Sequence, residues 1–232
     1  MYTTEEIKEL LLTKYENGDF RILGGGNDKQ QTKTVELQNV QFVANKDHII
    51  RKPNYDYAQR EIQWYHTMSL NVNDIPGGAP TMWSACATEE GIINSNYGWM
   101  IYSDENYNQY QSCLNKLIQD PHTREACMIY QRPSMHVDAT ANHKHDFCCT
   151  YAVQCFLNVE GNEYKLDYIV YQRSCDAVFG YNNDVLWHMH VRDRMLKDLS
   201  ERLGINIKRG IINYNCGSLH VYERHFKFLE NN

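Results

Sequence analysis

The stretch from 150 to 174, TYAVQCFLNVEGNEYKLDYIVYQRS, most constrains how this chain folds. Two runs rich in β-branched and aromatic residues flank Glu160-Gly161-Asn162, a turn sequence, and the pattern predicts a hairpin. A lone hairpin is marginal in water, so further strands and covering helices are required. TKTVELQNVQFVA (32–44) alternates apolar and polar residues around Val35, Leu37, Val40 and Phe42 and reads as a strand. REACMIYQR (124–132) and GIINYNCGSLHVYERHF (210–226) are also strand-rich. Helices are predicted from Thr3 to about Gly18, over 55–69, over 105–121 before Pro121, and over 184–204, the last capped by Asn183 or Asp184 and closed by Gly204. Helices and strands alternate irregularly, which predicts an α+β fold with helices covering a sheet.

The chain has 232 residues and no visible linker, repeat or low-complexity tract, so a single domain spanning 1–232 is expected. The net charge of -6 argues against binding a nucleic-acid backbone, though not against a local anion pocket. No run approaches the ~18 consecutive apolar residues of a membrane span. No basic-apolar-small pattern opens the chain, so no secretory leader is expected and the cytoplasm is the expected compartment. In that setting the eight cysteines read as thiols rather than disulfides.

DFCCTYAVQC (146–155) sets Cys148 beside Cys149. Three readings stay open from the residues alone. As metal ligands, His143, His145, Cys148 and Cys149 have no finger spacing, and no metal is expected. As core, free cysteine is among the most buried residue types, and neighbours on a strand face opposite sides. As a nucleophile, a cysteine needs a nearby cation or helix N-terminus to lower its pKa, and Arg124, Arg132 and Arg173 are candidates.

A second stretch, YQRSCD followed by Gly180 and a polar residue at 184, resembles the signature of the thymidylate synthase superfamily. Other pieces follow in the family's order: REIQWY with Glu61 and Trp64, then Trp83, YGW at 97–99, DPHTRE, and GSLHVYERH at 217–225. The resemblance runs from about residue 18 to 226. It implies a mixed sheet covered by helices, with the sheet packing in a homodimer. In this register the nucleophile falls on Cys149, with Gln154 also matching. INSNYGW, RPSM, DVLW and GSLHVYERHF are similar to the deoxycytidylate hydroxymethylase branch, which implies a phage-like, virus-encoded enzyme acting in the host cytoplasm.

Asp184 separates the branches. Thymidylate synthases carry asparagine here, which can donate to the uracil 4-oxygen and accept from the ring 3-NH. An ionised carboxylate only accepts, so it suits the 4-amino group of cytosine and a protonated nitrogen 3. Such a site rejects a mismatched base by up to ~10⁴–10⁵-fold. From the residues alone Asp184 reads as a helix cap; the register makes it a base-recognition residue.

The resemblance implies a reaction of dCMP, 5,10-methylenetetrahydrofolate and water that gives 5-hydroxymethyl-dCMP and tetrahydrofolate. Cys149 adds to carbon 6, Glu61 organises proton transfers and water, Tyr97 assists at the ring, and Asp184 holds a proton at nitrogen 3. Arg173 and Ser174 match the phosphate contacts, and Arg124 is expected to reach the partner's site. Lys29, in LGGGNDKQQ, is a further candidate for the phosphate. His220 and Tyr222 match the sugar contacts and share a strand face. Trp83, Asp176 and Gly180 match folate-contacting positions. Residue-level alternatives are a solvated helix carboxylate at Glu61, packing at Tyr97 and Trp83, a structural carboxylate at Asp176, a turn at Gly180, and a flexible surface loop around Lys29.

This sequence departs from the family in three places. The neighbour of Arg124 is Glu125 rather than a second arginine, Thr150 replaces the histidine after the nucleophile, and the last residues, FKFLENN, lack the apolar tail that closes over the folate. The polar tail favours capture of the intermediate by water over methyl formation. Rival readings are the same chemistry on CMP or dUMP, a catalytically silent nucleotide-binding homologue, and a metal- or redox-sensing cysteine protein.

Overall fold

The computed structural model describes residues 1–24, 31–141, 144–161 and 163–230. Lys29, His143 and Asn162 lie outside the described residues. In chain order the elements are β1 (Tyr2–Thr3), α1 (Thr4–Glu16), β2 (Arg21–Leu23), β3 (Thr32–Val43), α2 (Tyr55–Thr67), α3 (Thr81–Cys86), α4 (Tyr97–Tyr102) and α5 (Gln109–Gln119). They continue with β4 (Cys127–Ile129), α6 (Met135–Ala141), β5 (Thr150–Glu160), β6 (Glu163–Gln172), β7 (Cys175–Asp176), α7 (Gly180–Leu203), β8 (Ile207–Tyr222) and α8 (Lys227–Glu230).

Two compact units are assembled from interleaved segments, and β6, α7 and β8 contribute residues to each. The first comprises Met1–Pro53, Ile169–His190 and Ile211–Asn232. Here β3 pairs antiparallel with β8, Val35 opposite Val221, and its other edge takes β2 antiparallel and β1 parallel. The two-residue β7 runs parallel to β8, with Asp176 opposite His220. A Thr3–Glu6 capping box starts α1, whose Ile7 and Leu11 are fully buried. The core centres on Phe42, with its ring 5.4 Å from Tyr214 and 5.7 Å from Tyr181. Burial pushes the His188 imidazole down to about 3, so it sits neutral in this core.

The second unit comprises Asn54–Tyr168 and Val191–Gly210. β4 pairs antiparallel with β5, Met128 opposite Val153, and β5 neighbours β6 across the turn at Gly161, whose φ of +63° favours glycine. Trp64, Leu117, Tyr130 and Tyr168 form its fully buried core.

The expected strand at 32–44, the hairpin and the helix over 55–69 are present with boundaries moved by one or two residues. Three expectations need correction. The helix over 105–121 contracts to α5, because Tyr107 and Asn108 adopt left-handed backbone and a short 3-10 turn precedes them. The strand over 124–132 shrinks to three residues. The long helix begins at Gly180 rather than 184, so neither Asn183 nor Asp184 is its cap. The cause is Asp176, whose Oδ1 accepts the Val178 amide at 2.9 Å and whose carboxyl also takes the Phe179 and Gly180 amides, starting the helix four residues early.

Candidate active site

In the second unit, α2 presents Glu61. Asn54 caps this helix by accepting the Tyr57 amide at 3.1 Å. Glu61 is only 5% exposed, which overturns the solvated-carboxylate alternative. Its Oε1 accepts from the Tyr57 hydroxyl at 2.5 Å and from the Trp83 indole N–H at 2.7 Å. Burial raises the Glu61 pKa and outweighs both donors, which pull it down. A carboxyl whose pKa is raised in this way is suited to hold a proton and pass it on. Trp83 stands on the short α3, half-buried, with its ring edge-on to Trp64 at 5.5 Å.

The segment leading to Cys149 is held in place by Asp146, a buried carboxylate whose Oδ2 accepts the amides of Asn94 and Ser95, each at 2.6 Å. These residues lead directly into α4, which is capped by Asn96 and begins at Tyr97. Cys148 is 1% exposed and its carbonyl accepts from Gln131 Nε2 at 2.6 Å. Cys149, the next residue, is half-buried and sits immediately before β5. The Thr150 amide donates to the Tyr97 hydroxyl at 3.4 Å, so the structure brings Tyr97 beside the Cys149–Thr150 peptide. Tyr97 is packed as well, stacked on Tyr65 at 5.3 Å and edge-on to Tyr130 at 5.1 Å.

Gly98 makes this approach possible. A Cβ there would lie 1.8 Å from the Tyr65 carbonyl oxygen. Gly98→Ala is therefore expected to destabilise the protein by about 3 kcal/mol, read as a lower denaturant midpoint at constant slope.

The first unit carries the remaining candidates. Asp184 lies in the second turn of α7, half-buried, and its Oδ2 accepts from Gln172 Nε2 at 2.6 Å. Gln172, fully buried, ends β6, and the exposed Arg173 and half-buried Ser174 form the bend into β7. Gly217 of β8 sits against this bend, where an added Cβ would meet the Arg173 carbonyl at 3.0 Å. His220 and Tyr222 of β8 face the same side, with ring centroids 4.6 Å apart. Ser218 Oγ lies 3.1 Å from His220 Nδ1, and His220 Nε2 is buried with no partner among the described residues. Burial lowers the His220 pKa, which leaves a neutral ring. Asp176 binds the start of α7, as the structural alternative expected, and Gly180 is the first residue of that helix.

Arg124 is exposed, and its carbonyl accepts from Gln154 Nε2 at 2.8 Å. Glu125 is turned to Lys116 in an ion pair of 2.5 Å, which lowers its pKa.

A thymidylate synthase family model matches residues 10–232. The chain belongs to the thymidylate synthase family. Family membership makes it an enzyme, a transferase of one-carbon units to a pyrimidine. Thermostable thymidylate synthase A from Bacillus subtilis has the same fold, with a TM-score of 0.68, 18% identity, and coverage of 99% of this chain and 83% of that one. The proteins named deoxycytidylate 5-hydroxymethyltransferase from Enterobacteria phages T4, T2 and T6 are each 42% identical over 229 residues, 98% of this chain and 89% of theirs. No described helix is long and apolar enough to cross a membrane.

Three contacts of this family member were not read from its sequence: Tyr57 on Glu61, Gln172 on Asp184, and Asp146 on residues 94 and 95. The first had a local signal, an i,i+4 pair on one helix face. The other two join residues distant in sequence and left none.

Proposed function

We propose that the chain is a deoxycytidylate 5-hydroxymethyltransferase, converting dCMP, 5,10-methylenetetrahydrofolate and water to 5-hydroxymethyl-dCMP and tetrahydrofolate. The observation that carries this reading is the carboxylate at 184, fixed by the Gln172 amide. Its acceptor oxygens suit the cytosine amino group and a protonated nitrogen 3. The 42% identity to phage enzymes bearing that name supports the same base choice.

In this reading the Cys149 thiolate adds to carbon 6, and Asp184 stabilises the charge that develops on the ring by holding the proton at nitrogen 3. The folate, when bound, supplies a one-carbon unit at the oxidation level of formaldehyde to carbon 5. Glu61 organises proton removal and the incoming water, and Tyr97, beside the Cys149–Thr150 peptide, assists at the ring. Departure of the Cys149 sulfur from carbon 6 restores the aromatic base.

Arg173 and Ser174 take the phosphate, and Arg124 is assigned to the site of a second copy in a homodimer. Lys29 stays a phosphate candidate by its sequence position. The unpartnered Nε2 of His220 and the Tyr222 hydroxyl take the sugar hydroxyl. The half-buried Trp83 indole offers a flat surface that suits a pterin ring. Asp176 and Gly180 are the other candidates for folate contact.

The test is mass spectrometry of products after incubation with methylenetetrahydrofolate and dCMP, dUMP or CMP in separate tubes. Gain of one CH2O on dCMP alone is expected. Product on dUMP alone would overturn the Asp184 argument, and product on CMP would move the enzyme to ribonucleotides. Bound dCMP with no product in any tube would favour a silent homologue, the reading that Glu125 in the phosphate loop supports.

A further inference from the structure

The two donors at Glu61 converge on a single carboxylate oxygen. The Tyr57 hydroxyl and the Trp83 indole N–H both reach Oε1, at 2.5 and 2.7 Å, and the indole also lies 3.1 Å from the Tyr57 oxygen. Among the described residues no hydrogen bond reaches Oε2. Tyr57 stands four residues before Glu61 on α2, the spacing at which side chains meet on a helix face. We propose that Tyr57 is a positioning residue for Glu61, pinning Oε1 together with Trp83 so that Oε2 is the oxygen that exchanges protons with the nucleotide or its water.

The chemistry of the contact supports this assignment. Two donors on Oε1 hold negative charge there and oppose its protonation, so the proton resides on Oε2. Each bond favours the ionised carboxylate, against a burial that disfavours it. Tyr57 itself is pushed far above the ordinary phenol range, first by burial and then by the Glu61 charge, so it stays a donor at every working pH. A tyrosine serving only as packing would do none of this. Its ring has a packing partner, the Arg60 guanidinium at 5.5 Å, which phenylalanine would keep.

The kinetic part of the test rests on the proposed reaction; the titration does not. Isotope-edited infrared spectroscopy of protein carrying ¹³C-labelled glutamate, with Glu61→Gln as the assignment blank, reads the Glu61 carboxyl without substrate. In Tyr57→Phe the Glu61 titration is expected to move to higher pH by about one to two units, the worth of one charge-assisted hydrogen bond. The sign follows from the lost donor, which stabilised the charged form. The corresponding limb of the kcat–pH profile is expected to move by the same amount, with the nucleotide KM within about twofold of wild type. Tyr57→Leu, which also lacks the hydroxyl, is the second variant should the first not fold. A Glu61 titration unmoved in a folded variant overturns the proposal. A moved titration in a protein that turns over no nucleotide sustains the Tyr57 assignment and defeats the proposed reaction instead.

Discussion

Cys149→Ser is expected to lower kcat by about 10⁴–10⁶-fold, whereas Cys148→Ser is expected to stay within about tenfold of wild type. The two sulfurs differ by one position and by environment. Cys148 is 1% exposed and its backbone is held by Gln131, so its thiol is core. Cys149 is half-buried, and the peptide it shares with Thr150 reaches the Tyr97 hydroxyl. A serine hydroxyl ionises far above the thiol range, so no strong nucleophile is present at neutral pH. At 148 the same change places a hydroxyl in apolar surroundings and costs about 1–3 kcal/mol of stability rather than the reaction. Single-turnover kinetics with calorimetric dCMP binding separates the effects: Cys149→Ser keeps binding and loses the step. The reverse pattern, with Cys148 essential, would place the nucleophile one residue earlier.

The parts of this molecule legible in its sequence are those set by neighbours along the chain. The β5–β6 hairpin follows from two alternating runs around Gly161, and α2 from its apolar spacing and the Asn54 cap. The same-face pair His220 and Tyr222 follows from strand alternation. The burial of Glu61 was not legible, because it depends on Trp83, which arrives from α3 twenty-two residues later. The start of α7 is not legible either, because the side chain that binds its first amides, Asp176, precedes a stretch with no cap motif of its own. Asp146 reads as a polar residue before two cysteines; its work is done fifty-two residues away, at Asn94. α3 and α4 have six residues each, too short for a periodic signal. Family resemblance supplied the candidate list, and the structure supplied the contacts that hold those candidates still.

Asp184→Asn is expected to shift the ratio of kcat/KM for dCMP over dUMP toward dUMP by about 10²–10⁴-fold. Gln172 makes this direction specific. In the wild-type protein its Nε2 donates to Asp184 Oδ2 at 2.6 Å. An asparagine at 184 has one acceptor and one donor, and the Gln172 N–H can be met only by the amide oxygen. That bond sets the flip of the new side chain and turns its NH2 to the place of the other carboxylate oxygen. An NH2 group there donates to the uracil 4-oxygen, whereas it confronts the cytosine amino group with a second donor and leaves both unpaired. Loss of the carboxylate also removes the group proposed to keep nitrogen 3 protonated as charge builds on the ring, so kcat for dCMP falls further than its binding does. Competition assays with both nucleotides in one vessel read the ratio directly. Gln172→Ala in the Asp184→Asn background releases the amide to rotate, and the gain for dUMP is expected to shrink. Retention of dCMP preference in the single variant would mean that the base is chosen elsewhere and that Asp184 serves only the ring chemistry.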